Sequence, residues 1–391
     1  MIKIEDKTLC CGCQNCYNKC PKKCIAMQKS NNSDYLYPIV DESLCINCNI
    51  CEKVCPIINT KKNETTPVRV VGAYNKNSKI LKLSSSGGIF YLLAKAVIEQ
   101  NGVVFAVKFD REKYAKHEYF EKMEDIEPFL GSKYVQSELG KTFDNVLKFL
   151  KDNRLVLFSG TPCQVAALHS YLGKDYDNLI TMDFVCVGVG DKKILEAFLN
   201  HYETKYKSKI VDFKFRHKKD GWINFGNKIT FENGKEKYIS RYNSLYMKIM
   251  FSGLTRMKSC DSCKFRELNS RSDIKLSDFW KYRDSKNTKY NFWGLSQVLI
   301  NTNKGKELFE KVEKDLVVYE SSYEEALLNE SMKNTKINEE LRAKLYDNIE
   351  NMNNEEIYQR VKEMFGNSNL LKLKLYAYVF LSNIKHGKWR K

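Results

Sequence analysis

The sequence lacks an apolar run long enough to cross a bilayer. Its longest nearly apolar stretches, residues 87–98 and 370–381, are interrupted or shorter than the roughly 20 residues that a spanning helix needs. The first residues, MIKIEDK, contain no apolar segment of the kind found in a signal peptide. We therefore expect a cytoplasmic protein, in which cysteines serve as metal ligands more often than as disulfide partners.

Acidic residues are fewer than basic ones: the chain has 48 Asp and Glu and 65 Lys and Arg, which gives a net charge of +17. Such a surplus suits an acidic protein partner, an anionic cofactor, nucleic acid or a membrane surface. An ordinary solvated basic surface is the simplest alternative. Because no nucleic-acid-binding motif accompanies the charge, we expect no nucleic-acid partner.

Cysteine, in contrast, is abundant, with 14 residues. The pattern C-x2-C-x2-C-x3-C-P occurs twice, from Cys10 to Pro21 and from Cys45 to Pro56. This is the spacing of bacterial two-cluster ferredoxins, in which the fourth cysteine of each run binds the other cluster. The pattern predicts two 4Fe-4S clusters, with the ligand sets Cys10, Cys13, Cys16 and Cys55, and Cys45, Cys48, Cys51 and Cys20.

Two other kinds of cysteine site fit this stretch less well. A disulfide framework suits small secreted domains, and structural zinc sites usually show separated CxxC pairs rather than duplicated triple runs. Cys11 and Cys24 lie outside the pattern. We interpret Cys11 as a loop thiol and Cys24 as a small buried apolar residue.

The predicted fold class is α/β, or α+β over the whole chain. Residues 1–60 are predicted as a ferredoxin-type domain with two 4Fe-4S clusters, and residues 61–67 have the composition of a linker. Residues 68–320 alternate strands with helices, which predicts a larger α/β domain on a parallel or mixed sheet.

The last part of the chain, residues 321–391, is predicted as a helical, basic C-terminal extension. Residues 370–391 contain six basic and no acidic residues. An interfacial membrane anchor is one interpretation. A helix packed on the body is favoured over it, because the apolar positions keep no single face.

Two loops of the larger domain have the composition of ligand-binding turns. The sequence LSSSGG precedes a predicted helix, whose free N–H groups suit a phosphate; an ordinary serine N-cap is the alternative. The sequence FSGTPCQ lies at the carboxyl end of a predicted strand, where open α/β sheets bind ligands. The candidate cofactor-binding residues of these loops are Ser85, Ser86, Gly87, Gly88, Gly160 and Thr161.

The remaining four cysteines are scattered through the larger domain. They are Cys163, Cys186, Cys260 and Cys263. The first two come from the ends of adjacent predicted strands, and the last two form a CxxC. We interpret the four as a third 4Fe-4S site, with zinc as the second choice and unrelated core thiols as the remaining alternative.

Together these motifs resemble the family of the beta subunit of coenzyme F-420 hydrogenases and dehydrogenases, many bacterial members of which carry an N-terminal ferredoxin domain. The resemblance reaches about residue 310 and rests on LSSSGGIF, GSKYVQS, FSGTPCQVAAL, MDFVCVGV, FRHKKDGW, SCDSCKFRELNSRSDIKLSDFW and LSQVLINT. It implies FAD and iron–sulfur clusters, with the serine–glycine loop on the FAD phosphates or ribityl chain. It also implies a catalytic role for Lys133, as a cation that stabilises the reduced flavin.

The sequence departs from the family pattern at three places. Val187 follows Cys186 where many relatives have histidine, and Ser277 and Lys281 stand where glycines are common. These departures leave the fold interpretation intact and leave the substrate and the use of the deazaflavin coenzyme open. Trp222 is interpreted either as a cover for a flavin ring or as a core residue.

The resulting hypothesis is an iron–sulfur flavoprotein oxidoreductase. Electrons pass from a low-potential, ferredoxin-like acidic donor through 4Fe-4S clusters to FAD and on to an unidentified small-molecule acceptor. Some relatives look like accessory proteins of surface polysaccharide synthesis, so surface polysaccharide metabolism is one setting for that acceptor. A coenzyme F-420-dependent subunit, a non-catalytic electron-transfer adaptor and a nucleic-acid-binding protein with structural clusters are the alternatives.

Overall fold

The computed structural model describes residues 1–4, 6–60, 66–110, 114–280, 292–329 and 337–366. The strands are β1 Ile25–Ser30, β2 Ser33–Val40, β3 Arg69–Asn75, β4 Val103–Asp110, β5 Tyr114–Phe120, β6 Val156–Ser159, β7 Leu179–Phe184, β8 Ile210–Asp220, β9 Asn224–Phe231, β10 Glu236–Ser240, β11 Ile274–Asp278, β12 Ser296–Ile300 and β13 Leu316–Ser321. The α-helices are α1 Asn15–Lys19, α2 Ile50–Lys53, α3 Ser78–Leu83, α4 Ile89–Ile98, α5 Thr142–Lys151, α6 Pro162–Leu172, α7 Lys192–Tyr206, α8 Leu245–Ser252, α9 Asn303–Glu313, α10 Tyr323–Leu327, α11 Glu339–Tyr346 and α12 Asn354–Phe365.

A mixed sheet of eight strands forms the centre, in the order β13-β3-β12-β11-β7-β6-β4-β5. The strands from β11 to β4 run parallel, and the outer pairs are antiparallel. The central strands are short and apolar, as expected for strands covered on both faces. Helices α4 and α9 pack on one face and helices α5 and α6 on the other. The predicted mixed α/β fold is therefore confirmed.

A second, three-stranded antiparallel sheet, β8-β9-β10, packs beside the first. Its core also contains buried residues of α7 and α8, together with Leu345, Ile357 and Val361 of the last two helices. The described C-terminal helices thus pack on the body of the protein. The domain boundary at residue 320 stays a prediction, and residues 370–391 lie outside the described part of the chain.

The cysteine-rich N-terminal region is fixed to the larger domain by buried hydrogen bonds. The Asn15 side-chain amide donates to the carbonyl oxygen of Ala167 in α6, at 2.8 Å. The Tyr35 hydroxyl donates to the carbonyl oxygens of Val189 and Thr255, at 2.8 and 2.5 Å. These bonds hold the N-terminal cysteines against the loops that follow β6 and β7.

Several elements of the main sheet leave no recognisable pattern in the sequence. The sequence analysis did not predict strands β5, β11 and β13. Strand β11 pairs with β7 and β13 pairs with β3, so these partners lie far away in the sequence, whereas β5 forms a hairpin with its neighbour β4. Linker residues 61–65 and Lys281 lie outside the described residues. None of the helices in the described ranges has both the length and the apolar character needed to span a membrane.

Candidate functional site

Cys10, Cys13, Cys16 and Cys55 form what we call the first cysteine group. The backbone turns at Gly12 and Gln14, which have φ angles of 66° and 63°. Burial, with a smaller effect of negative charge on Cys13 and Cys55, raises the pKa of Cys10 to about 12. Burial and the same two neighbours, with Cys10, also raise the pKa of Cys16. The predicted first ligand set is therefore brought together.

The second cysteine group lines a separate small cavity of ≈ 20 Å³. Its members are Cys20, Cys45, Cys48 and Cys51, the predicted second ligand set. Cys24 lines the same cavity, and its Sγ lies 3.4 Å from the Cys20 Sγ. Its side chain is buried, as the sequence led us to expect.

The third cysteine group gathers residues from three distant segments into a cavity of ≈ 70 Å³, the cysteine cavity. The four members are Cys163, Cys186, Cys260 and Cys263. Burial, with smaller effects of the neighbouring Cys163 and Cys263, raises the pKa of Cys186 to about 12. The four thiols share one cavity and are not dispersed through the core.

Cys11 lies in the same cavity, although the sequence suggested only a loop thiol. Interaction with the neighbouring thiols of Cys13 and Cys163, together with burial, raises the pKa of Cys11 well above the ordinary value. The same interaction with Cys11 lowers the pKa of Cys13 and that of Cys163. Cys11 thus shares the cysteine cavity with one member of the first group and with the third group.

Across the described ranges, no three His, Cys, Asp or Glu side chains are already arranged as ligands of a metal ion. The cysteine groups are defined by the cavities that their members line together and by the effect of each thiolate charge on the pKa of its neighbours. All three groups offer thiols, the donors that suit both a 4Fe-4S cluster and structural zinc. A cluster binds each thiolate at a different iron, whereas zinc binds all four at one ion. The ligand roles of the twelve cysteines stay predictions.

A larger cavity of ≈ 270 Å³, the strand-end cavity, opens at the carboxyl ends of β6, β7 and β11. Ligands of open α/β sheets bind at such ends. The candidate cofactor residues that line it are Ser85, Ser86, Gly88, Lys133 and Thr161. The sequence motifs before α4 and before α6 therefore meet at one site.

The serine–glycine loop, residues 84–88, is held in place by contacts with strands of the main sheet. The Gly87 N–H donates to Ser296 Oγ at 2.8 Å, and a Cβ at Gly87 would lie 2.3 Å from the Ala73 carbonyl oxygen. Gly88 has a φ of 76° and is the N-cap of α4. The first residues of α4 line the cavity, so the positive end of this ten-residue helix faces it, as an anion requires.

Gly160 contributes close packing at the second loop. Its N–H donates to the Met182 carbonyl oxygen at 3.1 Å, and a Cβ there would lie 2.9 Å from the Phe158 ring. Thr161 and Gln164 then cap α6 reciprocally, because each side chain bonds to the backbone of the other residue. The loop that was predicted to bind a ligand therefore forms the capped N-terminus of α6.

Lys133 extends along the cavity wall, where its Nζ donates to the Leu130 carbonyl oxygen at 2.9 Å. Burial lowers the pKa of Lys133 to about 7. Near neutral pH this amine therefore exchanges readily between its charged and neutral forms. Its catalytic role stays a prediction.

An ion pair that the sequence analysis did not single out also lines the cavity. Arg216 binds Asp278 through two hydrogen bonds of 2.7 and 3.0 Å. The Trp222 indole donates to the same carboxylate at 2.6 Å and stacks on Trp280, with 4.4 Å between the ring centroids. Trp222 is 1% exposed, so the structure favours its interpretation as a core residue.

Lys218 supports the serine–glycine loop from inside the protein. Its Nζ donates to the carbonyl oxygens of Leu81 and Ser86, at 2.6 and 3.1 Å, and to that of Trp293. The side chain is 2% exposed, and burial, with the nearby Arg216, lowers the pKa of Lys218 to about 7. The motif FRHKKDGW contains both cations, but its spacing does not reveal these contacts.

The two cavities share a wall. The residues that line both are Thr161, Gln164, Val185, Cys186, Gly188 and Val189. Gln164 also donates to Ser137 Oγ at 2.9 Å, and Ser137 is hydrogen-bonded to His117 Nδ1 at 3.1 Å. Burial lowers the pKa of His117 to about 4, so this imidazole is neutral at physiological pH.

Comparisons with known proteins identify two segments of the chain. Residues 153–326 match the family described as the C terminus of the coenzyme F420 hydrogenase/dehydrogenase beta subunit, and residues 38–57 match a 4Fe-4S binding domain. No curated protein matches the chain.

Among solved structures, a chain of the F420-reducing NiFe hydrogenase complex from Methanosarcina barkeri is similar, with 17% identity and a TM-score of 0.45 over 70% of this chain and 92% of that one.

The second cysteine run lies inside the match at residues 38–57. The chain therefore contains a match to a 4Fe-4S binding domain, and its residues 153–326 are similar to the C-terminal part of the coenzyme F420 hydrogenase/dehydrogenase beta subunit.

Proposed function

We propose that the protein is an iron–sulfur flavoprotein oxidoreductase, with metal clusters on the cysteine groups and FAD in the strand-end cavity. The observation that carries this proposal is the wall shared by the cysteine cavity and the strand-end cavity, which includes Cys186. A redox centre held by the third cysteine group would lie directly beside a cofactor in the strand-end cavity. Cys48 of the second cysteine group is exposed, which leaves that group open to a donor protein.

The lining of the strand-end cavity supports an anionic cofactor. The start of α4, the neighbouring hydroxyls and the Lys133 amine place positive charge and N–H donors around one space. Ser85 Oγ and Ser132 Oγ lie 2.7 Å apart at its edge, so both hydroxyls are held in place. When bound, FAD supplies the exchange between one-electron and two-electron transfer, and the chain supplies orientation and charge.

Lys133 has the properties of the cation in this proposal. Charge on its amine would stabilise a negatively charged reduced ring, and a pKa of about 7 means that bound negative charge can draw a proton onto it. Arg216 lines the same cavity wall but is paired with the Asp278 carboxylate, which also lines it, so this ion pair adds little net charge. Lys133 is therefore the group whose charge would respond to a reduced cofactor.

Anaerobic purification of the full chain, with counts of iron, sulfide and flavin, tests the proposal. We expect bound FAD, and we expect K133M to retain less flavin than K141M, which removes an exposed lysine of the same region. C263A should lower the iron content while the flavin remains. A folded wild-type protein that holds no flavin after reconstitution with FAD would contradict the flavoprotein proposal.

The electron donor and acceptor form the second part of the proposal. Residues 1–60 contain seven lysines and six acidic residues, so almost all of the net charge of +17 lies after them. We propose that this charge attracts an acidic, ferredoxin-like donor. The match to the coenzyme F420 family favours reduced F420 as the second candidate donor. Rates of flavin reduction by each donor distinguish the two, and a substrate panel identifies the small-molecule acceptor.

A further inference from the structure

Gln164 lines both the strand-end cavity and the cysteine cavity, and a chain of hydrogen bonds fixes its side-chain amide. Its Oε1 accepts from the Thr161 N–H at 2.9 Å, and its Nε2 donates to Ser137 Oγ at 2.9 Å. Ser137 Oγ lies 3.1 Å from His117 Nδ1, and His117 Nε2 lies 3.3 Å from the Ser159 carbonyl oxygen. The chain therefore joins β5, the segment before α5 and the start of α6.

The direction of each bond in this chain follows from one group that can only accept. The Ser159 carbonyl oxygen has no proton, so His117 Nε2 carries the hydrogen of that bond. The imidazole is 3% exposed, and burial lowers the pKa of His117 to about 4, so the ring is neutral and Nδ1 accepts. Ser137 therefore donates its only proton to Nδ1 and accepts from the Gln164 amide. A reversed amide would place an oxygen against a hydroxyl that has no proton left to donate.

The two ends of the Gln164 amide serve different purposes. Oε1 completes the cap of α6 together with Thr161. Nε2 carries two hydrogens, and within the described part of the chain the bond to Ser137 uses one of them. Ser137 lines the strand-end cavity and is absent from the lining of the cysteine cavity, so the amino end of the amide lies on the strand-end side. A second N–H is thus available to a molecule in that cavity.

We propose that Gln164 donates an amide N–H to the ring system of the flavin in the strand-end cavity, and that Ser137 and His117 are positioning residues that keep this donor in its orientation. This inference rests on the proposed function. A donor fixed in advance stabilises a negatively charged reduced ring more than a neutral oxidised one. It therefore raises the reduction potential of the flavin. Because Gln164 directly follows Cys163, this effect acts beside the third cysteine group.

Three variants separate the N–H donor from the helix cap. Q164E keeps an oxygen for the Thr161 N–H, since threonine followed three residues later by glutamate is also a capping box, but it removes the amide N–H. Q164M removes both. S137A keeps the cap and removes the hydroxyl that orients the amide. Q100E, at an exposed glutamine just after the far end of α4, adds the same charge as Q164E and is the control.

Redox titration of the bound FAD against reference dyes, in the full chain purified anaerobically, measures the effect. The titration is run at pH 9, which favours the ionised form of the new carboxyl group even when it is buried. At a fixed applied potential, the ratio of reduced to oxidised flavin should fall about tenfold in Q164M, the factor that one hydrogen bond to a charged group contributes. The fall should be larger in Q164E and smaller in S137A, and Q100E should keep the wild-type ratio.

The direction of the hydrogen-bond chain can be measured without flavin. The chain has five histidines, so isotope-labelled histidine and long-range proton–nitrogen NMR spectra resolve the tautomer of each ring. The signal that disappears in H117Q belongs to His117. We expect the hydrogen on Nε2. A hydrogen on Nδ1 would reverse the bond to Ser137 and overturn the inference.

The titration can overturn it in two further ways. A wild-type ratio in both Q164M and Q164E would show that the amide does not act on the flavin. A fall confined to Q164M would assign the effect to the helix cap. Failure of the proposed function looks different: the wild type would then bind no flavin, and the inference would fall with it, whichever tautomer the NMR spectra report.

Discussion

Replacing Lys218 with methionine should destabilise the protein through the serine–glycine loop. The Lys218 amine donates to three main-chain carbonyl oxygens, those of Leu81, Ser86 and Trp293, inside a region where the side chain is 2% exposed. Methionine has a similar length but no donor. All three bonds need the protonated amine, because a neutral amine has two N–H groups. At about 1 kcal/mol for each bond, the free energy of unfolding near pH 7 should fall by about 2–3 kcal/mol.

The loss of stability in K218M should also depend on pH, because Lys218 is a buried titratable group. Burial lowers the pKa of Lys218 to about 7, below the value of about 10.4 for an unfolded chain. Between these values the unfolded state binds more protons, so the stability of the wild type rises with pH. K218M should lose this contribution, and the deficit relative to the wild type should therefore grow from pH 7 to pH 10.

Urea denaturation of K218M and K219M measures both effects. Lys219 is the exposed neighbour on the same strand, so K219M changes the same kind of side chain without touching the loop. We expect a lower midpoint for K218M alone, together with weaker FAD binding in a fluorescence titration. Equal midpoints for the two variants at every pH would refute the reasoning.

Four further predictions concern other parts of the protein. C13A and C48A should each remove one cluster, about four irons, because each removes one predicted ligand; iron analysis after anaerobic reconstitution that gives wild-type values for both would contradict the two-cluster prediction. G87A places a Cβ 2.3 Å from the Ala73 carbonyl oxygen and should cost about 1–3 kcal/mol of stability, measured by denaturation; an unchanged midpoint would be evidence against the close approach. Burial raises the pKa of Asp191 to about 6, so its contribution of about 3 kcal/mol is complete below pH 4 and is lost as the pH rises to 6; D191N should flatten the stability profile there, and a profile parallel to that of the wild type would count against the shift. The rate of reduction by an acidic donor protein should fall as salt rises, because attraction between exposed charges is screened beyond ~10 Å at 0.1 M; the same salt dependence with a neutral dye would exclude steering.

Local spacing carried most of the correct predictions. The duplicated cysteine pattern, matched in part by the 4Fe-4S binding domain at residues 38–57, lies within 47 residues of chain, where ligand spacing is a direct property of the sequence. The alternation of short apolar strands with helices indicated the mixed α/β sheet, because strands covered on both faces are apolar along their length. The serine–glycine loop was recognisable from its position just before a helix.

Tertiary structure alone decided which distant residues meet. Cys163 and Cys263 are 100 residues apart, and only the packing of the turn after α8 against the ends of β6 and β7 brings them into one cavity. Lys218 lies on β8 of the smaller sheet, whereas the loop that it supports lies between α3 and α4 beside the main sheet, and nothing in the sequence marks that lysine among its neighbours. The spacing alone leaves Cys11 as a surplus thiol, since its place in the cysteine cavity depends on how the N-terminal region docks on α6. Spacing specifies ligands that are close in the chain, whereas contacts between distant segments depend on strand order and on the burial that follows from it.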